Sequence, residues 1–356
     1  MAAVYGEERV NYYTNDHQYG AQVAVLAGGG YVVSWVSRGQ DGSDDGIYAQ
    51  RYNSVGMPVG VEFQVNSTTA GTQFQPAIVS LSDGGFVIVW SDQYADGSSW
   101  GVFAQRYDAL GVARGSQFLV NQYTLYDQGT PAIAAVDGGF VVTWASLYQD
   151  DGGSYGVYAR RYANDGSPSS AEFRVNTNLG GSQNEPAIAT FASGAFVVVW
   201  RSEGQDGSGA GVYAQRFDAA GNRLGGEFLI NGTTYSSQYQ PAVTALASGG
   251  FVVSWYNDYY DASGSGSAAD VYVREYAADG SPVGAEARVN SPSGSYYQYE
   301  PAIAHLGSDN FVVVWRSDGQ DGSNAGIYQQ LFGSAAELVR GNAAPVLADF
   351  GGTVSF

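Results

Sequence analysis

The chain of 356 residues has no cysteine, two histidines, and only 14% charged residues, and none of its basic residues is lysine. Without Cys there can be no disulfide, thiolate metal site or cysteine nucleophile. Without Lys there is no Schiff-base chemistry and no P-loop. His17 and His305 are isolated, so a histidine metal centre is not expected. No run of 18 apolar residues occurs, which leaves no candidate spanning helix and no expectation of membrane insertion. The opening Met1–Glu8 lacks the basic and apolar regions of a signal peptide. All 15 basic residues are Arg, set against 34 acidic ones for a net charge of −19. Nucleic acid is therefore not an expected partner, because phosphate neutralisation needs clustered cations, whereas an acidic surface suits Ca²⁺.

What is abundant is glycine and aromatics: 50 Gly, 27 Tyr, 16 Phe and 7 Trp. Glycine at about twice its usual share of roughly 7% points to many short strands joined by tight turns, hence an all-β chain. An internal repeat then organises the whole sequence. An apolar strand ending in Trp recurs six times, at Tyr31–Trp35, Phe86–Trp90, Phe140–Trp144, Phe196–Trp200, Phe251–Trp255 and Phe311–Trp315. Successive Trp residues lie 55, 54, 56, 55 and 60 positions apart, a period suited to four-stranded propeller blades.

Each unit yields four strand-like pieces, A to D. In the fourth these are Pro186–Ala189, Phe196–Trp200, Gly211–Phe217 and Glu227–Asn231. Strand A is built of small residues that suit crowding around an axis, and strand B is apolar at successive positions, as expected when both faces are covered. The chain opens with Glu8–Asn11, which matches the strand D phrase Glu62–Asn66, and the last unit stops after strand C at Phe332. The expected fold is therefore a six-bladed β-propeller of four-stranded antiparallel blades, closed by the N-terminal strand. The propeller is expected over residues 1–341, with 342–356 a linker and the first strand of a following domain.

Binding and catalysis concentrate in loops on a rigid scaffold, which directs attention to the long B–C and D–A loops on one face. Three positions there hold in all six units. One is an Asp six residues after the Trp: Asp41, Asp96, Asp150, Asp206, Asp261 and Asp321. Its carboxylates could chelate Ca²⁺, or cap backbone N–H groups two residues on in ordinary Asp-Gly-Ser turns. The second is the Asn that ends strand D, and the third is a Gln before strand A: Gln18, Gln73, Gln128, Gln183, Gln238 and Gln298. These amides are candidates either for ligand contact or for ordering loop backbone. The repeated Trp residues read as core. Trp100, outside the repeat, and the loop tyrosines Tyr94, Tyr148, Tyr155, Tyr256, Tyr259 and Tyr260 offer flat amphipathic area for a sugar or a partner protein. Arg51, Arg106, Arg161 and Arg216 on strand C read as solvated or cross-strand paired.

Phrases such as Gly249-Gly-Phe-Val-Val-Ser-Trp255, Gln205-Asp-Gly-Ser208, Gly46-Ile-Tyr-Ala-Gln-Arg-Tyr52 and Glu172-Phe-Arg-Val-Asn176 resemble the propeller-like repeats of very large secreted bacterial proteins of the RTX calcium-binding and adhesin type. Residues 342–356 resemble the opening of a cadherin-like or bacterial Ig-like repeat. The resemblance implies secretion or a bacterial cell-surface setting with Ca²⁺ nearby, although the RTX nonapeptide itself is missing. On this basis the chain is expected to be a non-catalytic, monomeric recognition module binding carbohydrate. A Ca²⁺-stabilised spacer or protein-binding scaffold is the alternative. A polysaccharide-degrading enzyme is a further one, disfavoured because no pair of acids stands out from the repeat.

Overall fold

The computed structural model describes residues 8–150, 153–260, 267–291, 297–320, 322 and 324–333. They form six antiparallel sheets with no helix, five of four strands and one of three. Each repeat unit is one blade, a meander in which A pairs with B, B with C, and C with D. The expected six-bladed propeller is thus the observed fold. Strand A runs Gln18–Val25, Gln73–Ser80, Gln128–Val136, Gln183–Thr190, Ser237–Ala245 and Gln298–Gly307 in blades one to six.

Strand B supplies the core. In blade two, Phe86 to Trp90 is fully buried, because alternate side chains enter the interfaces with the blades on either side. Phe86, Ile88 and Trp90 pack with Val32, Val36, Ile47 and Ala49 of blade one, and Val87 and Val89 pack with blade three. The first residue of B lies directly across from the last of C, so their rings stack in every blade, as in Phe140–Tyr162 at 5.0 Å and Phe196–Phe217 at 4.8 Å. Stacked pairs of this kind add about 0.5–1.5 kcal/mol each beyond area burial.

Polar clamps join neighbouring blades. Arg51 and Arg161 reach the C–D turns of the next blade, donating to Ala109 O and Ala220 O at 2.7 Å, and Arg106 and Arg216 bond Asn164 O and Asp279 O in the same way. These arginines therefore link blades instead of standing in solvent. The glutamates opening strand D act similarly. Glu227 accepts from Thr177 N and Asn178 N, and Glu286 from Gly232 N and Thr233 N.

The sixth blade has three strands among the described residues, and closure by the N-terminal strand is not shown. Asn11 does repeat part of the usual pattern, donating to Tyr13 O at 2.6 Å and Gln18 Oε1 at 3.2 Å. Residues 8–11 nevertheless pair with no strand, and Ile327 on strand C of blade six is 76% exposed where its counterparts Ile47 and Val102 are fully buried. Residues 342–356, expected to open another domain, lie outside the described residues.

Candidate functional site

The axial mouth is made by an irregularity in strand A. Two residues after each repeated Gln stands Gly20, Gln75, Thr130, Glu185, Gln240 or Glu300, where the A–B pairing slips, as between Asn184 and Ala187 or Tyr299 and Ala302. All six adopt left-handed backbone, with φ of 64° at Gly20 and of 55°, 51°, 54°, 48° and 54° at the other five. For a non-glycine residue this costs on the order of 1–3 kcal/mol, so five such residues at one position require a surrounding structure that fixes them. A proline follows each of the five and locks the bulge. The bulges open a cavity of about 310 Å³ lined by Thr130, Glu185, Gln240, Glu300 and the prolines after the last three.

Two of these six side chains are carboxylates, on blades four and six, with Gln240 of blade five between them. Glu185 Oε2 accepts the Gln240 N–H at 2.7 Å, as Gln75 Oε1 accepts that of Thr130 at 3.2 Å. Glu300 is half exposed, and Arg316 Nη1 approaches it at 4.0 Å. A row of flat groups spans the same three blades. Arg201 lies 4.7 Å over the Tyr239 ring, Tyr239 stacks on Tyr256 at 5.3 Å, Tyr256 meets Tyr299 edge-on at 6.4 Å, and Arg316 sits 4.8 Å over Tyr299. Burial pushes the Tyr256 hydroxyl up to about 12, with the negative charge of Glu185 acting in the same direction and Arg201 opposing it. An acid pair beside aromatic and cationic surface can bind a polar ring and exchange protons with it.

The repeated amides expected to carry function serve another purpose in the structure. Gln73, Gln128, Gln183 and Gln238 are fully or almost fully buried, each accepting from the strand D Asn and donating to a loop carbonyl. Gln18 follows the same pattern, and Gln298 accepts from Trp315 Nε1 at 2.7 Å. The Asn residues close the network. Asn66, Asn121, Asn176, Asn231 and Asn290 each take a strand C amide at 2.7–2.8 Å, which fastens the short strand D.

Asp41, Asp96 and Asp206 accept the N–H two residues on at 3.0 Å, the turn geometry that was one of the two readings. Asp150 lies 3.9 Å from Arg174, on a cavity of about 400 Å³ between blades three and four. Asp261 and Asp321 lie outside the described residues. Among the described residues no three His, Cys, Asp or Glu gather as a metal group.

The aromatic candidates are dispersed. Tyr94 is exposed on blade two, Trp100 packs edge-on to Phe74 at 4.7 Å, Tyr148 meets Tyr126 at 5.0 Å, and Tyr155 donates to Asp127 at 3.3 Å. Tyr259 and Tyr260 end strand B of blade five. Of the set, Tyr256 joins the axial row.

Glu185 and Glu300 were not among the residues singled out by the repeat, although a signal was present. The position before the strand A proline reads Gln, Thr, Glu, Gln, Glu in blades two to six, varying where its neighbours repeat.

No family model and no curated protein matches the chain. Solved structures do. One is a protein of unknown function from Dyadobacter fermentans, at TM-score 0.60 and 12% identity over 90% of this chain and 96% of that one. A second is the α-L-arabinofuranosidase Arb93A from Fusarium graminearum, an E242A mutant bound to an iminosugar inhibitor, at TM-score 0.57 and 13% identity over 87% and 92%. A third is the NanB sialidase from Streptococcus pneumoniae, at TM-score 0.56 and 9% identity over 84% and 65%. These likenesses bear on the fold. The expectation of a non-catalytic module is corrected on two grounds: glycoside-cleaving enzymes stand among the structural neighbours, and the asymmetric acid pair held to be missing is present at the axial mouth.

Proposed function

We propose that the protein hydrolyses glycosidic bonds of a polysaccharide at the axial mouth, with Glu185 and Glu300 as its acid pair. The observation that carries this reading is the break in six-fold order: two carboxylates, on blades four and six, stand on strained backbone around one cavity. Glycoside hydrolysis needs two such groups. One protonates the leaving oxygen, while the other, as carboxylate, activates water or attacks the anomeric carbon. Glu185, whose Oε2 is already an acceptor for the Gln240 N–H, is suited to the carboxylate role. Glu300, half exposed at the cavity rim, is suited to meet the leaving group as acid. The arabinofuranosidase and sialidase likenesses support carbohydrate as the substrate class.

Release of reducing ends from a panel of plant and bacterial polysaccharides tests the proposal. Glu185→Gln should lower the rate at least about 10³-fold on every substrate that wild type cleaves. Glu300→Gln should be partly rescued by aryl glycosides whose leaving group needs no proton. Full activity in either variant on natural substrate would overturn the assignment.

A further inference from the structure

Arg201 differs from Arg316, the other arginine at its place in the repeat. It occupies the position after the strand B Trp, which holds Val36, Ser91, Ala145, Arg201, Tyr256 and Arg316 in blades one to six. Cationic and aromatic groups are thus confined to the three blades that carry Glu185, Gln240 and Glu300. Arg316 is neutralised, with Asp318 at 3.4 Å and Glu300 at 4.0 Å. Arg201 takes part in none of the ion pairs of the described residues. Its one hydrogen bond runs from Nη1 to Asn184 Oδ1 at 3.2 Å, and its buried Nε has no partner. Asn184 is the residue directly before Glu185 and the cross-strand partner of Arg201, so the guanidinium is held on the strand segment that carries Glu185.

Of the two arginines at this place in the repeat, Arg316 has carboxylates within ion-pair distance and Arg201 has none among the described residues. Its stacking on Tyr239 fixes the plane of the guanidinium and removes much of the entropy that a flexible cation would lose on binding. Planar guanidinium groups match carboxylates in geometry and charge.

Building on the proposed hydrolase site, we infer that Arg201 selects a glycan whose sugar residue carries a carboxylate, which pairs with the guanidinium while the ring lies along the Tyr239–Tyr256 surface. The substrate class is therefore a uronic acid polymer in preference to a neutral one. The field of the acidic protein opposes a polyanion at long range, so the discrimination comes from this one short contact.

The test is a binding measurement, independent of cleavage. The full chain carrying Glu185→Gln is titrated with polygalacturonate and with the same polymer after chemical reduction of its carboxyl groups, which keeps the backbone and removes the charge. The native polymer should bind at least about tenfold tighter. Adding Arg201→Gln should weaken native polymer about 10- to 100-fold, the scale of a charge-assisted hydrogen bond, and leave the reduced polymer within about twofold. Arg201→Lys should retain part of the preference.

Equal affinity for the two polymers, or an equal loss on both in Arg201→Gln, would overturn the inference and leave Arg201 as a support for Tyr239. The comparison of native and reduced polymer needs no Arg201 variant, so it stands even if Arg201→Gln misfolds. Equal or tighter binding of a sulfated galactan would overturn the choice of carboxylate. Uronate preference without any reducing-end release by wild type would reject the hydrolase reading and leave this inference standing. Cleavage of neutral glycans without such preference would do the reverse.

Discussion

Replacing Asp92 by Asn should stabilise the protein at neutral pH and should not do so in acid. Asp92 stands two residues after Trp90, where the other blades have Ser37, Ser146, Ser202, Asn257 and Ser317. It is fully buried and accepts from Trp90 Nε1 at 3.2 Å and Gln73 Nε2 at 3.3 Å. Burial outweighs those two bonds and pushes its carboxyl from 3.8 up to about 6, with the charge of Asp96 adding in the same direction. Below 3.8 the group is protonated in both folded and unfolded chains and costs nothing. Between 3.8 and about 6 the folded protein holds a proton that the unfolded chain has released, so stability falls as pH rises, and above about 6 the loss is complete. At about 1.4 kcal/mol for each tenfold change in proton affinity, the rise from 3.8 to about 6 sets an upper figure of about 3 kcal/mol. Partial relaxation of the site reduces it to about 2–3 kcal/mol. Asparagine keeps the indole acceptor, as Asn257 does for Trp255 at 2.9 Å. Thermal or urea unfolding of both proteins from pH 3.5 to 8 provides the check, since other carboxylates cancel in the difference. The variant should match wild type at pH 3.5 and gain about 2–3 kcal/mol by pH 7. In a chain of this length that corresponds to about 3–4 °C. A pH-independent difference, or a variant less stable at pH 7, would refute the reasoning.

Asn176→Ala removes an amide that takes Val157 N at 2.8 Å and donates to Asn178 O and Gln183 Oε1, so it should cost about 2–4 kcal/mol by urea unfolding. Asn11→Ala, which loses two bonds and no strand C amide, should cost under about 1 kcal/mol, and a cost equal to that of Asn176→Ala would show that the N-terminal segment closes the ring in solution. Asp206→Asn retains the Ser208 N–H acceptor and should change stability by less than about 1 kcal/mol, equally in Ca²⁺ and in EDTA. A calcium-dependent loss in that variant would support the chelation reading of the Asp ring.

The scaffold was legible because its demands repeat. Strand B must be apolar on both faces in every blade, so Phe196–Trp200 and its copies announce blade number and order. The constant Asn and Gln were equally visible, yet constancy around the ring marks what all six blades need, namely a fastened strand D and an ordered D–A loop. The groups proposed here to meet a substrate lie where the repeat fails: Glu185 and Glu300 before the strand A proline, Arg201 after the Trp. That Glu185 and Glu300 share a cavity was not legible, because they come to line it only once the blades close around the axis. The same holds for Asp92, whose significance depends on full burial.

The most direct test of the central claim is size-exclusion analysis of polysaccharides, polygalacturonate among them, after incubation with wild type and with the Glu185→Gln/Glu300→Gln double variant. Wild type should shorten at least one polymer and the double variant should shorten none. A wild-type protein that leaves every polymer intact, or a double variant that cleaves as fast as wild type, would contradict the assignment of hydrolysis to this acid pair.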